Sequence, residues 1–218
     1  MGRPLLLLVL TAAVQVAAAI RMGMFPEVVD YSFTDCRQEM LEMVTTGGLL
    51  EKELDEAGKA NFKKLWQGNV CDHLIPGGTA EHVTALQSFA VNENFQKAFN
   101  KALNNAIGVS TYQDRFPFKS MFFLISDAME LLKPENCSTV YSGTEMEYEA
   151  NIGETVRLKT FFPAKMELAD VTEDAELSEE MGTVFMITSC SAISLEVALK
   201  ELKNLKDHPP VSWVSVQI

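Results

Sequence analysis

The sequence predicts an α+β fold, with a helical half followed by a β-rich half. Two observations carry this. Apolar residues recur at helical spacing from Phe25 to about Lys133, and beyond Pro134 the period shortens to two. A third narrows the class. Four cysteines, an even count, follow a leader-like start, the usage of a disulfide-bonded chain from an oxidising compartment.

The start comes first. "MGR" is a positive n-region, "PLLLLVLTAAVQVAAA" an apolar core, and Ala17 and Ala19 satisfy the small-x-small cleavage rule. Residues 1–19 therefore read as a signal peptide, and the expected product is secreted and extracellular without a membrane anchor. The apolar run is short for a membrane span. Residues 20–133 form the expected helical part and 134–218 the β-rich part of one domain.

The helices follow in order. "TDCRQEMLEMVTTGG" places Cys36, Met40 and Met43 on one face and stops at Gly47 and Gly48. "LLEKELDEAGKANFKKLW" adds further turns, broken near Gly58. Thr79 is a suitable N-cap for "AEHVTALQSFA". "ENFQKAFNKALNNAI" aligns Phe95, Phe99 and Leu103, and "FKSMFFLISDAMELLK" aligns Phe118, Phe122, Ile125, Met129 and Leu132. Pro134 disfavours helical backbone at Lys133 and ends the last one. Tyr112, just before that helix, reads as a packing residue.

Strands are expected at 146–149, where Met146 and Tyr148 alternate with Glu147 and Glu149, and at 156–160, where Val156, Leu158 and Thr160 alternate with Arg157 and Lys159. "TVFMITSC" at 183–190 is a continuous apolar run, expected to be buried on both faces, and "VSWVSVQI" is a last strand. "SLEVALKELKNLK" instead has helical spacing and reads as an amphipathic surface helix.

Formal net charge is −12, which repels phosphate backbones and excludes nucleic acid as an expected partner. Metal is not expected either. There is no Cys-x-x-Cys, and Cys71 with His73 is the one close Cys/His pair. His73, His82 and His208 lie far apart with no nucleophile pattern beside them, so each reads as a surface or packing histidine.

Several stretches in a fixed order, "YSFTDC", "EHVTALQSF", "NFQKAFNKAL", "STYQDRFPFKSMFFLISDAMELLKPENC", "TVYSGT", "GETVRL" and "TVFMITSC", make the chain resemble the vertebrate secreted and surface arginine-specific mono-ADP-ribosyltransferases. The resemblance covers roughly residues 27–190. It implies a helical N-terminal half packed on two sheets, with NAD or NADP as substrate and a protein arginine as acceptor. It also implies a Cys137–Cys190 disulfide. Cys36 is left to pair with Cys71 or to remain free.

The implied reaction breaks the ribose–nicotinamide bond through an oxocarbenium-like state. A carboxylate must stabilise the growing positive charge, and an arginine fork suits the pyrophosphate. The family supplies a Val-Tyr-Arg-Gly strand, a Ser-x-Ser strand and a Glu-x-Glu turn. Here the arginine position falls on Ser142, followed by the family's glycine, Gly143, a weak cofactor-contact candidate with it. The Ser-x-Ser positions fall on Pro163 and Lys165, and the acidic turn falls near Lys203 and Leu205. No intact catalytic set is expected, and activity should be weak or lost. Two alternatives follow: a dead binding or decoy protein, or an NAD glycohydrolase using another carboxylate, Glu201 or Glu196.

Overall fold

The computed structural model describes residues 19–29, 31–56, 60–68, 74–171, 182–194 and 212–214. A short 3-10 turn, Thr34–Cys36, leads into α1 (Arg37–Val44), followed by α2 (Leu49–Asp55) and α3 (Ala60–Gly68). The longer helices are α4 (Ala80–Val91), α5 (Glu93–Asn105) and α7 (Lys119–Leu131), with the short α6 (Val109–Arg115) between the last two. The sequence periodicity did not mark α6. It is only seven residues long, too few to establish a helical period, and Gly108, at φ 79°, starts it.

Helix α7 is the axis of the helical half. Its expected apolar face is real, yet Met121, Phe123, Leu124 and Ala128 are buried as well, so nearly its whole girth is enclosed. Helix α5 keeps the expected single stripe, with Phe95, Phe99 and Leu103 inside. These residues join Phe62, Phe89, Phe116 and Phe118 in an aromatic core of mostly edge-on and tilted ring pairs, such as Phe89–Phe99 at 5.4 Å and 76°, with Phe62 stacked on Phe95 at 4.9 Å. Arrangements of this kind favour each ring's quadrupole. Tyr112 packs there too, stacked on Phe116, and burial pushes its phenol well above the usual range. It is a packing residue, as expected.

The strands are β1 (Ile20–Arg21), β2 (Ser138–Thr144), β3 (Tyr148–Glu149), β4 (Phe162–Ala164), β5 (Thr183–Ser189), β6 (Ala192–Ser194) and β7 (Ser212–Val214). Strand β2 pairs antiparallel with β5 from Ser138↔Ser189 to Thr144↔Thr183. Strand β7 lies between β4 and β6, antiparallel to both. An isolated bridge, Tyr141↔Lys165, with backbone bonds of 2.8 and 2.7 Å, ties these two sheets together. Strand β1 pairs in parallel with β3. A disulfide joins Cys137 and Cys190 beside the β2/β5 ladder.

Three strand expectations need correction. Of 146–149, only Tyr148 and Glu149 are in a strand; Met146 is exposed in a turn where its N–H meets Thr144 Oγ1. Residues 156–160 form no strand. The Arg157 N–H bonds to Gly23 O, and the apolar side chains near there join two different cores: Leu158 enters the cluster of Val140, Ala164, Ile187 and Ala192, whereas Phe161 enters the helical core. Within 156–160 only Leu158 is buried, and no ladder forms along the segment. Strand β5 is not buried on both faces either: Ile187 is buried while Met186 is 72% exposed, the alternation of a sheet with one covered face.

Among the described residues no helix is long and apolar enough to cross a membrane, and no group of three metal-ligating side chains converges.

Candidate functional site

Three of the expected motif positions, Ser142, Pro163 and Lys165, lie where β2 is bridged to the end of β4. Alternation along β2 turns Val140 and Ser142 inward, with only 2% of Ser142 exposed. Ser142 lies opposite Phe185 on β5. One step from the Tyr141↔Lys165 bridge, it also lies level with the buried Ala164 on β4. Val140, Ala164, Ile187 and Phe185 form one apolar cluster, so the inward face at Ser142 is uncharged.

Gly143 is needed for space. A Cβ there would meet Val171 O at 2.7 Å, so the chain of Val171 can lie against β2 only because this residue has no side chain.

Pro163 and Lys165 take the other face. Pro163 is exposed and, in register with Trp213 of β7, contributes no N–H. Lys165 donates its ammonium to Asp170 O at 2.6 Å. Successive β residues point to opposite faces, so the side chains of Pro163 and Lys165 and that of Ser142 project from opposite sides of the joined sheets. The structure brings the three positions onto neighbouring strands without converging them on one point. Lys203, Leu205, Glu196 and Glu201 lie outside the described residues. Cys36 is exposed and free of a disulfide, while its expected partner Cys71 is likewise outside them.

The donors at these positions do not suit a dinucleotide. A pyrophosphate needs a fixed cationic fork, whereas Ser142 offers a buried hydroxyl, Pro163 no donor and Lys165 an ammonium already bonded to a carbonyl.

The most organised polar cluster was not found by sequence reading. The Asp127 carboxylate on α7 accepts from Arg37 Nε at 2.7 and 2.9 Å and pairs with His82 Nε2 at 2.8 Å. The Thr79 N–H donates to His82 Nδ1 at 3.0 Å, which leaves the ring proton on Nε2 and makes His82 the donor to Asp127. Thr79 caps α4 as expected, closing a capping box with His82. Burial lowers the His82 pKa, against the attraction of Asp127, and the ring is neutral in the folded protein. Glu53, also buried, accepts the N–H groups of Lys119 and Ser120 at the start of α7. Buried carboxylates of this kind fix helices in place. The one usable signal was the polar Asp127 inside an otherwise apolar run.

A cleft of about 380 Å³ opens beside this cluster, between α1, α7 and residues 157–161. Ser142, Gly143, Pro163 and Lys165 do not line it.

Residues 22–204 match the family model of the NAD:arginine ADP-ribosyltransferases. Mouse ecto-ADP-ribosyltransferase 4 is 25% identical over 192 residues, covering 81% of this chain and 62% of the relative. Mouse GPI-linked NAD(P)(+)–arginine ADP-ribosyltransferase 1 is 29% identical over 187 residues, covering 78% and 56%. The chain thus spans about three fifths of the length of the curated relatives it matches. A crystal structure of a mutant of the eukaryotic mono-ADP-ribosyltransferase ART2.2 in complex with NAD superposes with a TM-score of 0.70 at 20% identity, covering 89% of this chain and 84% of that one. This likeness shows the fold, the helical half and two-sheet half expected from the sequence.

Proposed function

The chain belongs to the NAD:arginine ADP-ribosyltransferase family, and on that premise we propose that it is an extracellular member in which arginine-directed ADP-ribose transfer is weak or lost, so that it acts by binding. The observation that carries this reading is Ser142. It occupies the family's arginine position, is 2% exposed, and faces an apolar cluster. A serine there can neither reach a pyrophosphate nor neutralise it. Pro163 and Lys165 at the proposed Ser-x-Ser positions support the same reading, because neither supplies a hydroxyl, proline lacks a backbone donor and the Lys165 ammonium is turned to the Asp170 carbonyl. Removal of one preorganised electrostatic group costs about 100- to 1,000-fold in such sites, and groups acting as a unit do not fail additively. The Cys137–Cys190 disulfide and the "ecto" relatives support an extracellular setting.

The test is nicotinamide release from NAD by the purified disulfide-bonded protein, with and without a protein arginine acceptor, alongside calorimetric titration of NAD. The expected result is no release above the uncatalysed rate. Turnover matching an intact family member would overturn the proposal. Ser142→Arg by itself is expected to leave turnover absent, since the other two elements are still missing.

A further inference from the structure

We propose that the cleft between α1, α7 and residues 157–161 is a second binding site, for a small organic anion with a ring and a carboxylate or phosphate. Its volume, about 380 Å³, lies near the lower end of ligand pockets, which run from about 300 to 1,000 Å³, so it suits one ring system with its substituent better than a dinucleotide. The walls supply aromatic surface. Tyr31 is braced edge-on against Tyr112 at 5.0 Å, and Phe161 is anchored against Phe122 at 6.0 Å.

The charge is the more specific signal. In a chain of net charge −12, Arg37, Arg157 and Lys159 all line this cleft. Among the described residues the lining holds two carboxylates, both engaged: Asp127 by Arg37 and His82, and Glu130 by Lys133. Arg37 uses Nε for Asp127 and Nη2 for Gly77 O, so its orientation is fixed by bonds that leave Nη1 available. A guanidinium held in this way is preorganised for an anion. The Lys159 ammonium sits 3.5 Å from the Phe25 ring centroid at a half-buried site, a contact weaker than a charge-assisted bond to a carboxylate or phosphate. The site shares no residue with the motif positions, so it stands whether or not the protein turns over NAD.

The experiment is calorimetric titration of the full disulfide-bonded protein with AMP and with benzoate, using adenosine and inorganic phosphate as ring-only and anion-only controls. Binding of at least one ring-bearing anion is expected with a dissociation constant below about 1 mM, and at least about tenfold tighter than either control. A preference for AMP assigns the anionic group as phosphate, and one for benzoate as carboxylate. The double variant Arg157→Gln with Lys159→Met is expected to weaken binding by about tenfold or more. Ser126→Leu, which fills the α7 wall and leaves every cation in place, is expected to abolish it. Thermal unfolding of both variants checks that they fold. The proposal is overturned if no ring-bearing anion binds below about 1 mM, if the controls bind equally well, or if a folded variant of either kind binds as the parent does.

Discussion

Asp127→Asn is the sharpest perturbation of the helical half. In the parent, the Asp127 carboxylate receives Arg37 Nε on both oxygens and the His82 Nε2–H on one. An asparagine of the same shape has only one oxygen. If that oxygen turns to Arg37, the new NH2 meets the His82 N–H, donor against donor. Shifting the His82 proton to Nδ1 relieves this only in part: Thr79 Oγ1 at 3.0 Å could accept it, but the Thr79 backbone N–H would lose its acceptor. If the oxygen turns to His82, the guanidinium faces an NH2. Losing a hydrogen bond to a charged group costs about 1.5–3 kcal/mol, and a buried donor left unmatched costs about 1–3 kcal/mol. His82 is fully buried, so the second cost applies in full, whereas the Arg37 side chain is 33% exposed and water softens the first. The expected loss is therefore about 3 kcal/mol, toward the lower end of what breaking a buried pair costs. Urea denaturation of the disulfide-intact protein should show a midpoint lower by about 1.5 M with the slope unchanged. Arg37→Gln, which leaves the carboxylate its His82 partner and solvent access, should cost less. An Asp127→Asn midpoint indistinguishable from the parent would refute the tautomer argument.

Three further outcomes follow from the same structure. Because burial lowers the His82 pKa below its ordinary value of 6.5, the unfolded chain takes up a proton more readily than the folded one; stability should be full above about pH 6.5 and fall as pH drops through the folded pKa, and His82→Gln should flatten that part of a Tm-against-pH profile. Gly143→Ala should destabilise by about 1–3 kcal/mol in chemical denaturation, since its methyl meets a backbone carbonyl and not a movable side chain. Glu53→Gln should cost about 1–3 kcal/mol, also by denaturation, because its NH2 must face one of the two backbone N–H groups, of Lys119 and Ser120, that the carboxylate oxygens accept.

Within each element the sequence was legible because helices and strands are written in local period. The stripe of Phe95, Phe99 and Leu103 and the Thr79 cap needed no partner to be recognised. The proposed motif positions rest on a different signal: Ser142, Pro163 and Lys165 are assigned by adjacency to short stretches that resemble the family. Which face each would take was not legible. A strand's alternation gives two faces, and only the sheet it joins decides which is covered; thus Met186 of an apolar run stands exposed while Ser142 is buried. The 156–160 segment failed as a strand on the same ground: Leu158 enters one core and Phe161, three residues on, enters the other, with no ladder between them.

The amino-acid sequence alone determined the change from a helical half to a β-rich half, and the family. Tertiary structure alone decided that Arg37, His82 and Asp127, separated by 90 and 45 positions in the chain, form one polar knot, and that three cations gather on one cleft. The physical reason is range. Helical and strand periods are set by neighbours a few residues away, whereas a buried charge finds its partner only once distant helices have packed and excluded water from around it.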